Sequence, residues 1–311
     1  MERVLITGAS GVLGINTIKY LLSEGHYEIT ALDLKNKKSI NRLKTYSKRI
    51  NVIYGDTADR TLMEYLVKDQ DYIIYLASIM PPMADLKKNL SNIGEYQPLE
   101  NTIRAINYYN PECKFIYASS TSIYGNSKTL VNVNTDPKIK YDEYFSQTKL
   151  KCEQRIQNKL HNYLILRVPL VLSKITKDPF MFNIEESATI ETITDIDAAY
   201  AITKCLPNFS KLNKQIYNLG GGERFIFKCQ NLFNSIFKIY GYSFRYFFIN
   251  HFIDKNYYSP VTSDSDILNK IIDYRDDTFE NYLDRLSTVS RKRKLAKLIY
   301  KIMNKNRKGD N

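Results

Sequence analysis

TGASGVLG, residues 7–14, decides how the chain is read. It follows the short apolar run Val4-Leu5-Ile6 and precedes Ile15, Ile18, Leu21 and Leu22, which recur at helical period. An apolar run, a glycine turn and an amphipathic segment make a strand–turn–helix unit, the context in which glycine spacing carries meaning. Gly8 permits the tight turn, Gly11 lets backbone approach a pyrophosphate, and Gly14 lets helix and strand pack closely. The N–H groups at the helix start, including those of Val12 and Leu13, then face the phosphates from the positive end of the helix dipole. A plain Gly-rich turn between strand and helix is the competing reading.

The chain beyond repeats the pattern. Residues 28–34, EITALDL, predict a second strand ending near Asp33. A carboxylate there accepts both ribose hydroxyls of an adenosine and repels a 2′-phosphate, which favours NAD; Lys35 beside it leaves NADP open. Further strands are predicted at 51–54, leading to Gly55-Asp56, at 71–76, leading to Ala77-Ser78, and at 114–118, leading to Ser119-Ser120. Strands alternating with helical stretches imply an α/β, Rossmann-type, doubly wound parallel sheet with its ligand at the strands' C-terminal ends.

Bulk properties set the outer limits. The 311 residues allow one large α/β domain or a large and a small one. A 43% hydrophobic, 25% charged composition is that of a soluble globular protein. Cys113, Cys152, Cys205 and Cys229 are scattered, which reads as buried or inert thiols in a reducing compartment. His26, His161 and His251 do not cluster, and no metal is expected. There is neither a signal-peptide pattern nor an apolar run of ~18 residues, so a cytoplasmic protein is expected. Of the net charge of +12, residues 286–311 supply +8, with nine Lys/Arg against one Asp. In that tail Leu295, Leu298, Ile299, Ile302 and Met303 share one helical face, with Lys294, Lys297, Lys301 and Lys305 on another. Such a basic amphipathic helix suits an anionic membrane surface, or docks on its own domain or a partner chain. The charge sits in a short tail with no recognition fold around it, which argues against nucleic acid.

Taken in order, the motifs resemble the extended short-chain dehydrogenase/reductase family, in its NAD-dependent epimerase/dehydratase branch. T-G-x-x-G-x-x-G matches that family's cofactor loop. Gly55-Asp56, followed by Thr57, resembles its adenine-contacting pair, and Leu76-Ala77-Ser78 resembles the segment that passes beside the cofactor. SSTSIYG, residues 119–125, is similar to the motif in which the position of Ser120 is the catalytic hydroxyl. Leu166-Arg167-Val168-Pro169, ITDID at 193–197, YNLGGGE at 217–223 and YRDDTFENYL at 274–283 are similar to its later motifs. The resemblance implies an NAD-binding Rossmann domain over 1–169, with 191–222 returning to it. It implies a small C-terminal substrate domain from 170–190 and 223–285, with 286–311 as a tail. It also implies a nucleotide-sugar substrate and a homodimer.

One stretch departs from the family. In YDEYFSQTKLKCE, residues 141–153, Lys149 sits where the family keeps a lysine that holds ribose and tunes a tyrosine four residues before it. That position is Phe145, with Tyr144 one place earlier. A phenol has a pKa near ~10, lowered by a nearby ammonium, and its proton transfer is worth ~10²–10⁴ in rate. Tyr144 is therefore the candidate proton carrier, with Ser120 and Lys149 as its catalytic partners. Asp142, read as the helix N-cap, would put Tyr144 in the first turn, where a π-bulge or register shift is cheapest. Tyr141 and an acid from elsewhere remain open. Arg224, Arg245 and Arg275 are candidates for the substrate's diphosphate, and the aromatic stretch 240–252 for its base. The expected function is an NAD-dependent nucleotide-sugar epimerase, dehydratase or reductase, suited to surface-polysaccharide precursors. The alternative is a non-catalytic member of the family that binds NAD or nucleotide sugar as a regulatory or partner subunit.

Overall fold

Seven parallel strands form the central sheet in the order β3-β2-β1-β4-β5-β6-β9. They are β1 (Glu2–Thr7), β2 (Tyr27–Asp33), β3 (Asn51–Tyr54), β4 (Tyr72–Tyr75), β5 (Lys114–Ser120), β6 (Tyr163–Val168) and β9 (Gln215–Asn218). The computed structural model describes residues 1–81, 83–86, 89–174, 184–185, 187–239 and 258–290. Strand order reverses between β1 and β4, so the chain departs to either side and leaves a crevice at the carboxyl ends of the strands.

The sheet is parallel because its strands are apolar on both faces and helices cover both. Val4 and Ile6 pack with Ile18 and Leu21 of the Val12–Glu24 helix and with Ala198, Ala201 and Ile202 of the Asp195–Cys205 helix. The alternate residue Leu5 joins Ile73, Tyr75, Phe115 and Tyr117 under Leu99, Ile103, Cys152 and Ile156. All four cysteines are buried and free. Strand limits fall within a residue or two of the sequence expectation, and 51–54 coincides with it.

A second, three-stranded sheet is ordered β10-β8-β7: β7 (Leu170–Leu172) pairs parallel with β8 (Thr189–Thr194), and β10 (Ile226–Lys228) pairs antiparallel to β8. Around it lies a separate apolar cluster with Phe225, Phe233 and Phe237, and with Tyr282 of the Phe279–Ser290 helix. Phe145 belongs to this cluster, which ties the Tyr144–Lys159 helix to the smaller sheet.

No helix of the described residues is long and apolar enough to cross a membrane. Arg245, the aromatic stretch 240–252 and the amphipathic face at 294–305 lie outside the described residues.

Candidate active site

A cavity of about 490 Å³ opens at the crevice where the strand order reverses. Its first wall is the glycine turn. Gly8 has φ +65, and a Cβ there would lie 2.9 Å from the backbone nitrogen of Ala77. A Cβ on Gly14 would meet the carbonyl oxygen of Ala9 at 2.6 Å, so only glycine lets the helix start this close to the strand. Gly11 is the N-cap of the Val12–Glu24 helix, whose first turn has no side-chain cap and no acidic residue. Those free N–H groups suit an external anion. At the end of β2, Asp33 is fixed by its neighbours: Oδ2 accepts the Ser10 N–H at 2.7 Å and Oδ1 accepts the Leu34 N–H at 2.8 Å. Asn36 and Lys38 line the same end.

The cavity then runs along Gly55, Asp56 and Thr57, past Leu76, Ala77 and Ser78, to Ser120, Phe145, Lys149 and Pro169. Gly8, Gly11, Val12, Leu13, Gly14, Asp33, Asp56, Thr57, Leu76, Ala77, Ser78, Ser120 and Lys149 therefore share one continuous surface. Phosphate-facing N–H groups at one point, a ribose-facing carboxylate about one strand away and a lysine at the far end fit a dinucleotide laid across the crevice.

Phe145 occupies the cavity wall and is buried, with its ring centre 5.5 Å from Lys149 Nζ. Tyr144 falls in the first turn of the Tyr144–Lys159 helix, as anticipated, but it does not line the cavity; nor does any other tyrosine among the described residues. The helix is regular from Tyr144 onward, and the π-helical turn lies elsewhere, at Asn92–Tyr96. Asp142 is not the N-cap: Glu143 holds that position without a side-chain cap bond. The acceptor comes instead from Asp85, whose Oδ1 takes the Phe145 N–H at 2.8 Å. A carboxylate brought in by the fold does the work that local sequence suggested for Asp142.

The far end of the cavity is backed by a buried polar cluster. Lys149 Nζ donates to Glu95 Oε1 at 2.6 Å and to the Ala118 carbonyl at 2.8 Å. Tyr117 donates to Glu95 Oε1 at 2.6 Å, and Ser78 donates to Glu95 Oε2 at 2.6 Å. Burial pushes the Tyr117 hydroxyl far above the ordinary phenol range, which keeps it a donor. The Ser120 hydroxyl accepts the Ser122 N–H at 3.1 Å and so sits fixed at the end of β5. A second buried pair stands behind it: Arg167 NH2 donates to Glu153 Oε2 at 2.8 Å, and Arg167 NH1 donates to the Tyr124 hydroxyl at 2.7 Å. Ser119 hydrogen-bonds the same Glu153.

Two of the arginines proposed for a diphosphate stand apart from this cavity. Arg275 is spent on the fold, donating to the Gly220 carbonyl at 2.9 Å and to Ser265 Oγ at 2.8 Å, and pairing with Asp266. Arg224 is exposed beside Phe225. The residue that sequence reading missed is Glu95. It lies four positions before Leu99 on the stripe Leu99, Ile103, Ile106, and an acid on an apolar stripe signals a buried charge.

A family model described as the NAD dependent epimerase/dehydratase family matches residues 4–184. The chain belongs to that family. A UDP-glucose 4-epimerase of Neisseria meningitidis serogroup C is 30% identical over 139 residues, which are 40% of this chain and 39% of that protein. The match thus spans well under two thirds of the curated relative. Among solved structures, the UDP-glucose 4-epimerase from Bifidobacterium longum in complex with NAD+ and UDP superposes with TM-score 0.75 at 16% identity, covering 93% of this chain and 98% of that one. The UDP-glucuronic acid 4-epimerase from Bacillus cereus in complex with UDP-glucuronic acid and NAD gives 0.76 at 18%, covering 92% and 99%. At such identities the likeness establishes the fold. NAD is the cofactor of this family, and the glycine cradle and Asp33 fit it. When bound, it accepts or returns a hydride.

Proposed function

We propose that this member of the NAD dependent epimerase/dehydratase family acts on a nucleotide sugar, by epimerisation, dehydration or keto reduction. The observation that carries the reading is the continuity of the cavity. One surface runs from the glycine cradle to Lys149 and Ser120, with Val171 and Ser173 of the smaller sheet's side at its far end. In this reading Lys149 holds the cofactor's ribose side and Ser120 orients the sugar oxygen. Residues around β7, β8 and β10 and the Cys229–Ile239 helix form the substrate side. The named relatives act on UDP-sugars, which makes UDP-sugars the first substrates to try.

Phe145 supports a second reading. A buried ring with no proton to transfer stands on the cavity wall where the family's phenol would be. A member that binds dinucleotide or nucleotide sugar without turning it over would keep the cradle and lose this group. Tyr144, outside the cavity lining, replaces the lost phenol only after the start of its helix is repositioned.

The experiment is a panel of UDP- and dTDP-sugars incubated with the NAD-loaded protein, with products separated by ion-pair chromatography and NAD affinity measured in parallel. Conversion of any sugar supports the enzyme. NAD binding with no conversion across the panel supports the binding protein. Absence of NAD binding removes the enzyme and the dinucleotide-binding form of the second reading.

A further inference from the structure

Among the described residues, Glu95 is the one carboxylate that pairs with Lys149 in the buried end of the cavity, and three side chains donate to it at 2.6 Å: Lys149 Nζ, Tyr117 and Ser78. Its side chain is 1% exposed and that of Lys149 is 5% exposed. The other contacts of Lys149 among the described residues carry no formal charge: they are the Ala118 carbonyl, the Tyr117 ring at 4.9 Å and the Phe145 ring at 5.5 Å. Lys149 and Ser78 both reach the cavity surface, while Glu95 lies behind them.

The position is built. Residues 92–96 form a π-helical turn, a conformation that often marks functional sites. Gly94 in this turn packs against the segment that follows β4, where a Cβ would lie 2.1 Å from the movable side-chain end of Ile79. The next residue, Glu95, then lands beside Ser78 of that same segment. A charged pair held this way is hard to shift, because removing either partner strands the other in a medium of low dielectric.

We propose that Glu95 is the fixed counter-charge of Lys149, and that the neutral pair it makes sets the balance between the redox forms of the dinucleotide by removing the bias a lone Lys149 would exert against the oxidised, cationic ring. This rests on the reading that NAD lies in the cavity with its nicotinamide toward Lys149. The oxidised ring is a cation and the reduced ring is neutral. A lone ammonium in a buried wall repels the first and is indifferent to the second. Compensating that ammonium removes the repulsion, and the pair as a whole discriminates little against the cation. Glu95 is a positioning residue in this scheme. It acts through Lys149 and Ser78 and touches neither cofactor nor substrate.

The test is the ratio of dissociation constants for NAD+ and NADH, measured by calorimetry and by NADH fluorescence with no sugar present. Glu95→Gln leaves Lys149 uncompensated, and Kd(NAD+)/Kd(NADH) is expected to rise by roughly tenfold or more. Lys149→Met leaves the carboxylate, and the ratio is expected to fall by a similar factor. The double variant removes both charges and should return to within about threefold of the parent ratio. Where Glu95→Gln fails to fold, Lys149→Met and the double variant carry the comparison. Ratios unchanged within about threefold in every variant that folds overturn the proposal. So do Glu95→Gln and Lys149→Met shifts in the same direction. A parent protein that binds neither form overturns the cofactor placement itself, a separate outcome.

Discussion

Phe145→Tyr, made alone and together with Glu95→Gln, tests whether the missing phenol and the compensated lysine are linked. Phe145 is 3% exposed and its ring centre lies 5.5 Å from Lys149 Nζ, so a para hydroxyl enters the same wall as Ser120 and Lys149. To move protons near neutrality a phenol must have its pKa lowered from ~10, and an uncompensated ammonium supplies that. At ~5 Å and an effective dielectric of ~20, one such charge is worth ~3 kcal/mol, or about two pKa units. Here the ammonium already donates to Glu95 at 2.6 Å, and the opposite charge cancels most of that attraction. The new phenol also loses solvent, which raises its pKa further. Phe145→Tyr alone is therefore expected to change the rate by less than about tenfold. With Glu95→Gln added, the gain should reach ~10² or more, within the range general acid–base catalysis supplies. The assay is single-turnover nicotinamide absorbance after mixing with a panel of nucleotide sugars, with NAD affinity as the control for an intact cradle. A hundredfold gain from Phe145→Tyr alone, or a double variant no faster than the single, refutes the reasoning.

Three further outcomes follow from the packing and electrostatics. Gly14→Ala places a Cβ 2.6 Å from the Ala9 carbonyl, and the clash should cost ~1–3 kcal/mol in chemical denaturation and abolish measurable NAD binding. Arg167→Met strands the buried Glu153 carboxylate and should destabilise by ~3–5 kcal/mol, with Arg167→Met/Glu153→Met recovering most of the loss in the same melts. Burial raises the Asp197 carboxyl from 3.8 to about 6, against the Asp276 and Asp277 N–H groups that favour its charged form. A raised carboxyl pKa gives stability present below about pH 4 and lost as pH rises through about 6. Asp197→Asn should therefore gain on the parent by on the order of 2–3 kcal/mol between those pH values in urea unfolding, and a difference that does not vary with pH refutes the assignment.

The sheet was legible because its signal is local and redundant. Each central strand is apolar on both faces, and each is followed by the turn residues that close a crossover. The cofactor cavity was legible for the same reason: its wall is made of strand ends and the residues next to them, so that Gly8, Asp33, Asp56, Ala77 and Ser120 fall at predictable places along the chain. Contacts between distant segments were not legible. Asp142 has the right chemistry for a helix cap, yet Asp85, 60 residues before Phe145, takes the bond. Arg275 has the right chemistry for a phosphate, yet the Gly220 carbonyl just after β9 and Ser265 at the start of the Ser265–Ile272 helix take its N–H groups.

Glu95 shows why a buried group at this site was hard to read. A regular helix places residues 95, 99, 103 and 106 along one stripe, and an acid at its head signals a buried charge without naming its partners. A π-helical turn alters the register just where the stripe begins, with Gly94 packed against Ile79. The carboxylate then points to Ser78 after β4, to Tyr117 on β5 and to Lys149 on the Tyr144–Lys159 helix. Those three donors come from residues as far apart as 78 and 149, and only the sheet order brings them together. The loss of a phenol at 145 can be seen in one line of sequence. Its counterpart, a lysine whose charge is already answered, exists only in the folded chain. A hydroxyl restored beside a neutralised lysine and one restored beside a free lysine are different acids, so Phe145 and Glu95 have to be varied together.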